Sequence, residues 1–463
     1  MNYPLQRVHL VGIGGSGIQG LATFLKEQAV SVSGSDLNPV QFSGIQTYSP
    51  HQVAPLEKIA PQLVVYSPAV PENNIEVQWA LKNGIEIHSY PEQVGLEMKK
   101  KVGIAVAGTH GKSTTSSLIT QLLFREGRDP SFIIGAKVFP FEKNGHYGNG
   151  QEMVVEACEY QKSFLSLHYQ FAVINNIEAD HLDYYQDLKD ITQSFKEFAR
   201  KLNPGGTLFL PEALREEFQT LPITICTVGN NNKATYRWNR LKMSPEGCEF
   251  FFKAPEEPWH KCFLPLFGRH NISNATMALA VVHQLGVPLK RVISHLAQVR
   301  APARRFQIHQ LKPVVIIEDF AHHPTKITRT LEACRQRFPD QKIYCIFQPH
   351  QHHRTRVLLK EFAESLVDVH ECLIPPIFAA RDTVQEKART QSPHLVQAIL
   401  QAGGRAQYFA SLEEMKQYLE QKIQKASVIL VLGAGNIGEI VAPLMKMKIP
   451  YLQKTQEELE IKV

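Results

Sequence analysis

The sequence predicts an α/β protein of three domains: an N-terminal Rossmann-like domain, a central phosphate-loop α/β domain with an added β-rich section, and a C-terminal Rossmann-like open sheet. Three observations predict it. A chain of 463 residues is long enough for about three domains of ~150 residues each. Short apolar runs alternate with segments of helical period along most of the chain, the pattern of parallel sheets with crossover helices. Glycine-rich turns stand at strand-to-helix junctions at residues 12–17, 108–113 and 433–438. The domains are expected over residues 1–98, 99–300 and 301–463.

In the first domain, Arg7–Val11 reads as a strand, and Gly12, Gly14, Gly15, Ser16 and Gly17 form a Gly-x-Gly-x-x-Gly turn. A helix follows with Ile18, Leu21, Phe24 and Leu25 on one face, and then a strand from Val30 to Gly34 that ends at Ser35-Asp36. Asp36 follows the turn by about 20 residues, where an acidic side chain accepts from a sugar hydroxyl. The turn alone fits a nicotinamide dinucleotide, a nucleotide-sugar diphosphate, or glycines used only for tight packing. Leu63–Val70 and Ile85–Ser89 read as further strands, with Ser67 at the end of the former facing the same crevice. Glu97–Lys101 reads as a charged connector.

The second domain opens on an apolar strand, Val102–Ala107, which breaks at Gly108, Thr109, His110, Gly111, Lys112 and Ser113 before a helix that includes Thr114. Glycines there turn backbone N–H groups toward an anion, and the helix N-terminus adds its partial positive charge. Lys112 reaches the outer phosphates, and the Ser113 hydroxyl can hold Mg²⁺. The loop is shorter than the common form, which would have glycine at Val106. A polar loop is expected over Asn144–Gly150. A strand from Glu152 ends in Glu156 and Glu159, and another from Phe171 runs into Glu178, Asp180 and His181. Carboxylates at strand ends beside a phosphate loop are where a nucleotide's Mg²⁺ finds oxygen ligands, and Glu156 is best placed. His181 is open between a metal role and a helix-start histidine. Residues 207–267 read as β-rich. Asn271 and Asn274, three apart at a helix start, suit either capping or adenine recognition.

The third domain places Glu318-Asp319 at the end of a strand from Val314, followed by His322, His323 and Pro324 entering a helix. A strand ending at Phe347 leads to His350, His352, His353, Arg354 and Arg356 on an expected irregular loop, whose arginines suit anion handling better than zinc. The strand Ser427–Leu432 reaches the last glycine turn, which is expected to open a helix.

Bulk properties bound the function. The net charge of +6 and the absence of a dense Lys/Arg run point to anionic small molecules rather than nucleic acid. Seven scattered cysteines without a C-x-x-C pair suit reduced thiols. The N-terminal residues lack a signal-peptide pattern, and no apolar stretch of about 18 residues marks a membrane span. A cytoplasmic location is expected.

Taken together, the motifs resemble those of the Mur ligases, ATP-dependent ligases of peptidoglycan precursor synthesis, over essentially the whole chain. They are Gly12–Gly17, Gly108–Ser113, Glu156–Glu159, Asn176–His181, Gly268–Ala275, Arg304–Phe306 and Asp319–Pro324. Within the family, Gln348–His350, Arg354–Arg356 and Ile377–Arg381 are most similar to members that join L-alanine to the carboxylate of UDP-N-acetylmuramate. Members that attach a whole tripeptide to the same nucleotide sugar come next.

The resemblance implies that the Gly12–Gly17 turn, with Asp36 and Ser67, binds the uridine diphosphate sugar. It gives Lys112 the ATP β- and γ-phosphates, and gives Ser113 and Glu156 the nucleotide Mg²⁺. His181 would hold a second ion near the sugar's carboxylate, and Asn271, with Asn274 beside it, would read adenine. Arg305 and Asp319 would serve the γ-phosphate and ribose, and His322, His350 and Arg354 the amino acid. The implied chemistry is an acyl phosphate attacked by an amine, with closure of the third domain as a required step. Two departures stand out: Cys158 replaces a family aspartate, and Gln351 replaces the arginine after Gln-Pro-His.

Overall fold

The computed structural model describes residues 6–181, 184–311, 314–380, 382–423 and 427–447. Arg381, quoted above among the motif residues, lies outside them. Three sheets carry the chain. The first two, with their helices, form one compact unit. The third forms another, which also takes in Met243–Gly247 and Phe267–Arg269.

The first sheet has five strands: Arg7–Val11, Ser31–Ser35, Gln46–Tyr48, Leu63–Tyr66 and Glu86–Ser89. All pair in parallel. Arg7–Val11 lies between Ser31–Ser35 and Leu63–Tyr66. The chain winds first to one side of it and then to the other, so its C-terminal end is the switch point where an open α/β sheet leaves a crevice. The helix Ser16–Glu27 buries Ile18, Leu21, Phe24 and Leu25 on the sheet, the face its sequence period marked.

The central sheet has ten strands. Val102–Ala107 sits in it between Glu152–Glu156 and Phe171–Ile174, both parallel to it. The β-rich section is not a separate layer. Its strands Thr207–Pro211, Thr224–Gly229, Tyr236–Ser244, Gly247–Lys253 and His260–Leu264 continue the same sheet to one edge. Phe209, Tyr236, Phe250 and Phe252 are fully buried there, each worth about 1.5–3 kcal/mol of apolar burial.

At the opposite edge, Ser131–Val138 and Lys143–His146 form an antiparallel pair. Part of the expected polar loop over Asn144–Gly150 is therefore strand. Its partner is the first domain's helix: a Cβ on Gly145 would overlap the backbone of Gly20, and one on Gly20 would lie 2.9 Å from the Asn144 carbonyl. Two glycines let two backbones touch. His146 then bridges Glu27 at 2.8 Å and Asp129 at 3.2 Å, and Lys143 pairs with Glu27 at 2.7 Å.

The charged connector Glu97–Lys101 is held by specific contacts. The helix Tyr90–Met98 starts on a capping box between Ser89 and Glu92. Glu97 is buried and accepts from Gln93 at 3.0 Å and Lys100 at 2.8 Å. Lys101 Nζ donates to the carbonyls of Gly148 and Gly150. Charge here pins the chain instead of solvating it.

The third sheet orders Gln307–Leu311, Val314–Asp319, Ser427–Leu432, Lys342–Phe347, Glu371–Ile374 and Ala406–Tyr408. It is parallel except for Gln307–Leu311, an antiparallel edge strand the sequence reading did not anticipate. Among the described residues no helix is long and apolar enough to cross a membrane, and no cysteine is in a disulfide.

The glycine contact gives a test of the fold. Gly145→Val must push two backbones apart, and overpacking of this kind costs about 1–3 kcal/mol. Calorimetry should show a lowered Tm; an unchanged Tm would mean that the edge strand does not dock on the helix Ser16–Glu27.

Candidate active site

The phosphate loop connects Val102–Ala107 to the helix Lys112–Arg125. Gly111 holds φ +80°, and a Cβ there would collide with the Asn274 side-chain amide, so only glycine fits. Lys112 Nζ folds back over the loop, donating to the Gly108 carbonyl at 2.6 Å and to Glu159 at 2.7 and 3.0 Å. The pair is nearly closed to solvent, at 14% exposure for Lys112 and 3% for Glu159. Burial works against the Lys112 charge, but the Glu159 carboxylate outweighs it and holds the ammonium above the usual lysine range.

Sheet order supplies the other groups. From one neighbouring strand comes Glu156, which accepts from Ser113 Oγ at 2.9 Å through one oxygen and from the Gly135 amide at 2.8 Å through the other. From the other neighbour come Asn175, Asn176 and Glu178. Asn176 Oδ1 accepts from the His110 amide at 2.8 Å, and Glu178 meets the His110 ring at 3.0 Å. The Thr109 hydroxyl accepts from the Glu178 amide at 2.9 Å. Thr114 is buried on the first helical turn. His181 has φ +55°, an uncommon backbone state of the kind that clusters at functional sites. Its ring lies 3.6 Å from Glu159 and 5.0 Å from the Tyr160 ring.

Asn271 and Asn274 lie inside the helix Arg269–Gln284, both buried. Asn274 donates to Asn271 at 3.1 Å, and its oxygen is within 3.3 Å of the Thr115 hydroxyl. They pack behind the loop, against Thr115 and Gly111. Lys112, Ser113, Glu156, His181 and Asn274 thus converge. The sequence marks Glu159 and Glu178 as strand-end acids, but not Glu159 as the partner of Lys112, nor Glu178, Asn175 and Asn176 as partners of the loop and its helix. For Glu159 the signal was present: a second acid three residues past Glu156, where the strand must turn back toward the loop.

In the first sheet, Asp36 Oδ2 accepts the Gly14 amide at 2.8 Å, so it braces the glycine turn. Beneath it lies a buried polar cluster. Glu76, fully buried, accepts from Ser35 and from the Gln52 amide at 2.8 Å, and faces His51 at 3.3 Å and His9 at 3.6 Å. Burial pushes the Glu76 carboxyl up, but the His9 and Ser35 contacts outweigh it and leave the pKa lowered. Ser67 stands at the switch point, its amide bonded to the Val11 carbonyl at 2.9 Å.

In the third sheet's unit, Asp319 accepts from the amides of Phe306 and Ala321, both at 2.8 Å. Burial raises its carboxyl, and Arg305 and those amides offset only part of the effect. Arg305 lies 4.7 Å over the Phe320 ring, while Arg304 pairs with Glu318 at 2.7 Å. His322 and His350 have ring centroids 6.0 Å apart, and His350 stacks on Phe378 at 5.5 Å.

Two expectations need correction in this unit. His352, His353, Arg354 and Arg356 are on a short helix, His352–Val357, and not on an irregular loop. Gln351 turns the chain into it with φ +67°, and Asp382 accepts from the His352 amide at 3.0 Å, which fixes the helix start. The glycine turn at 433–438 opens only a 3-10 turn, Asn436–Ile440, and one turn of helix. Gln348 Oε1 accepts the Ile437 amide at 3.2 Å, Arg304 binds the Gly433 carbonyl at 3.1 Å, and a Cβ on Gly435 would lie 2.5 Å from Phe378. These glycines serve packing, which removes the second dinucleotide-type turn.

Comparison with known proteins follows this layout. The profile described as "Mur ligase family, catalytic domain" matches residues 7–102, "Mur ligase middle domain" residues 106–282, and "Mur ligase, glutamate ligase domain" residues 304–435. The UDP-N-acetylmuramate–L-alanine ligase of Caldanaerobacter subterraneus subsp. tengcongensis is 34% identical, over 94% of this chain and 96% of that protein. The enzyme of the same name from Desulfitobacterium hafniense is 36% identical, over 94% and 98%. Among solved structures, a UDP-N-acetylmuramate-alanine ligase from Thermotoga maritima superposes with a TM-score of 0.79 at 24% identity, covering 98% of this chain and 99% of that one. A murein peptide ligase from Psychrobacter arcticus gives 0.72 at 22%, over 96% and 98%.

Two outcomes are expected from the electrostatics. Lys112→Ala strands the Glu159 charge, and breaking a buried pair costs about 3–5 kcal/mol. Adding Glu159→Gln should restore much of the lost Tm, and a double variant no more stable than the single one would contradict the pair's burial. Glu76 has a lowered folded pKa, so its charge stabilises the protein above the ordinary carboxylate range, and that stability is lost as pH falls through the folded pKa. The Tm difference between wild type and Glu76→Gln should therefore shrink on acidification. A difference that grows instead would reverse the assignment.

Proposed function

The chain belongs to the Mur ligase family, and we propose that it is an ATP-dependent ligase joining L-alanine to the carboxylate of UDP-N-acetylmuramate through an acyl phosphate. The observation that carries this reading is the buried Lys112–Glu159 pair in a short phosphate loop, with Ser113 and Glu156 bonded beside it. Near-full-length similarity to relatives named for this reaction supports the choice of substrates.

A carboxylate is a poor electrophile. Transfer of the ATP γ-phosphoryl group to it creates a phosphate leaving group, which the amine of L-alanine then displaces through a tetrahedral intermediate. The protein's part is positioning and charge neutralisation. Lys112 exchanges Glu159 for the β- and γ-phosphates, and the amides from Gly108 to Ser113 line the turn. Gly12–Gly17, braced by Asp36, takes the diphosphate of the sugar nucleotide, with Ser67 at the crevice edge. Asn271 and Asn274 back the loop on the adenine side. In the third unit, Arg305 and Asp319 are assigned to the nucleotide, and His322, His350 and Arg354 to the amino acid.

Mg²⁺ fits the donors present. Ser113 Oγ and Glu156 Oε1 lie 2.9 Å apart at adjoining element ends. Two protein oxygens suit an ion that takes its other ligands from phosphates and water. When bound, it would neutralise charge on the phosphate oxygens. His181, beside Glu159, is assigned to a second cation near the sugar's carboxylate.

The test is phosphate release with UDP-N-acetylmuramate and ATP, comparing L-alanine, glycine, L-serine and the tripeptide. Turnover should be strongest with L-alanine and abolished in Lys112→Ala. Strong turnover with the tripeptide alone would replace the amino-acid assignment, and none with any acceptor would end the ligase reading.

A further inference from the structure

One aromatic side chain lies over the glycine turn of the first sheet and has no part in the chemistry above. Tyr90 is the first residue of the helix Tyr90–Met98, set by the Ser89–Glu92 capping box, with Pro91 next to it. Its hydroxyl lies over the glycine turn of the first sheet: a Cβ on Gly17 would be 2.8 Å from Tyr90 Oη and 2.9 Å from Cζ. The other end of the helix is fastened to the central sheet's unit. Gly95 packs so closely on the Ser166 carbonyl that a side chain there would overlap it. Ser166 closes the turn Tyr160–Ser166 that begins directly after Glu159. The helix therefore spans from the sugar-nucleotide turn to the segment carrying the partner of Lys112. The ring is half-buried against the core cluster that contains Ala107 and Ala157, the residues flanking the phosphate loop and Glu156. Among the described residues no hydrogen bond ends on the Tyr90 hydroxyl.

We propose that Tyr90 is a substrate-positioning residue, whose hydroxyl donates a hydrogen bond to the muramyl carboxylate and, after phosphoryl transfer, to the carbonyl end of the acyl phosphate. This rests on the ligase reading. A carboxylate attacked on ATP must bridge the gap between the Gly12–Gly17 turn and Lys112, with reacting atoms about 3–3.5 Å apart. Tyr90 stands over one end of that path. A phenol keeps its proton at working pH, so it stays a donor. A neutral donor suits this place, because it orients an anion without the charge that would hold it back from transfer.

The experiment compares wild type with Tyr90→Phe, which keeps the ring and its packing on Gly17. Phosphate release with ATP and L-alanine should show kcat/KM for UDP-N-acetylmuramate reduced about tenfold or more, the loss expected for a hydrogen bond to a charged group. The KM for ATP should stay within about twofold. Direct titration supplies a readout independent of turnover. UDP-N-acetylmuramate should bind Tyr90→Phe more weakly, whereas UDP-N-acetylglucosamine, which lacks the carboxylate, should bind both proteins alike. Equal weakening of both nucleotides, parallel loss for ATP, or unchanged constants would each overturn the proposal while the ligase reading stands. A wild-type protein that releases no phosphate would overturn both.

Discussion

A lysine that must meet the outer phosphates of a nucleotide has to be held in place before the nucleotide arrives. Here Glu159 does that. A buried ammonium without a partner would lose its charge or drag the loop open, and the Glu159 carboxylate at 2.7 Å prevents both. Glu159 is in turn fixed by the Tyr185 hydroxyl, which donates to its carbonyl. Under the proposed function, nucleotide binding is an exchange of one anion for another around this cation, the preorganisation that electrostatic catalysis requires.

Strand order makes this possible. The phosphate-loop strand is central, so each flank contributes a strand end at the same level, with Val106 opposite Glu156 and Ala107 opposite Ile174. One flank brings Glu156 against Ser113, and the other brings the amides and acid that clasp Thr109 and His110. The first sheet is held to this site at two places. The Gly20–Gly145 contact and the His146 bridge fasten one end of the helix Ser16–Glu27, and Tyr90 lies over the other end at Gly17. Close backbone contact plus paired charge resists sliding more than apolar packing alone would.

In the third unit two adjacent arginines share one ring and divide the work. Arg304 is committed to Glu318 and to the carbonyls of the last glycine turn. Arg305 lies over the same ring, Phe320, beside a buried Asp319 whose amide contacts shape the turn into His322. A motif that reads as two equivalent cations holds one arginine in an ion pair and one over an aromatic ring.

Local physics made much of this legible in the sequence. Apolar strands, glycine at the phosphate turn and the Lys112-Ser113 helix start are local requirements of chain geometry and charge, and they mark themselves in a few adjacent residues. The same holds for Gly12–Gly17 and for Glu156 at a strand end. Tertiary structure decided what depends on distant neighbours. It made Glu159 the partner of Lys112, put Asn274 behind Gly111, turned part of the Asn144–Gly150 segment into a docking strand, and gave Gly433–Gly438 to packing. Each of these is set by which strand lies next to which. A glycine that admits a phosphate and one that admits a neighbouring side chain leave the same letter in the sequence.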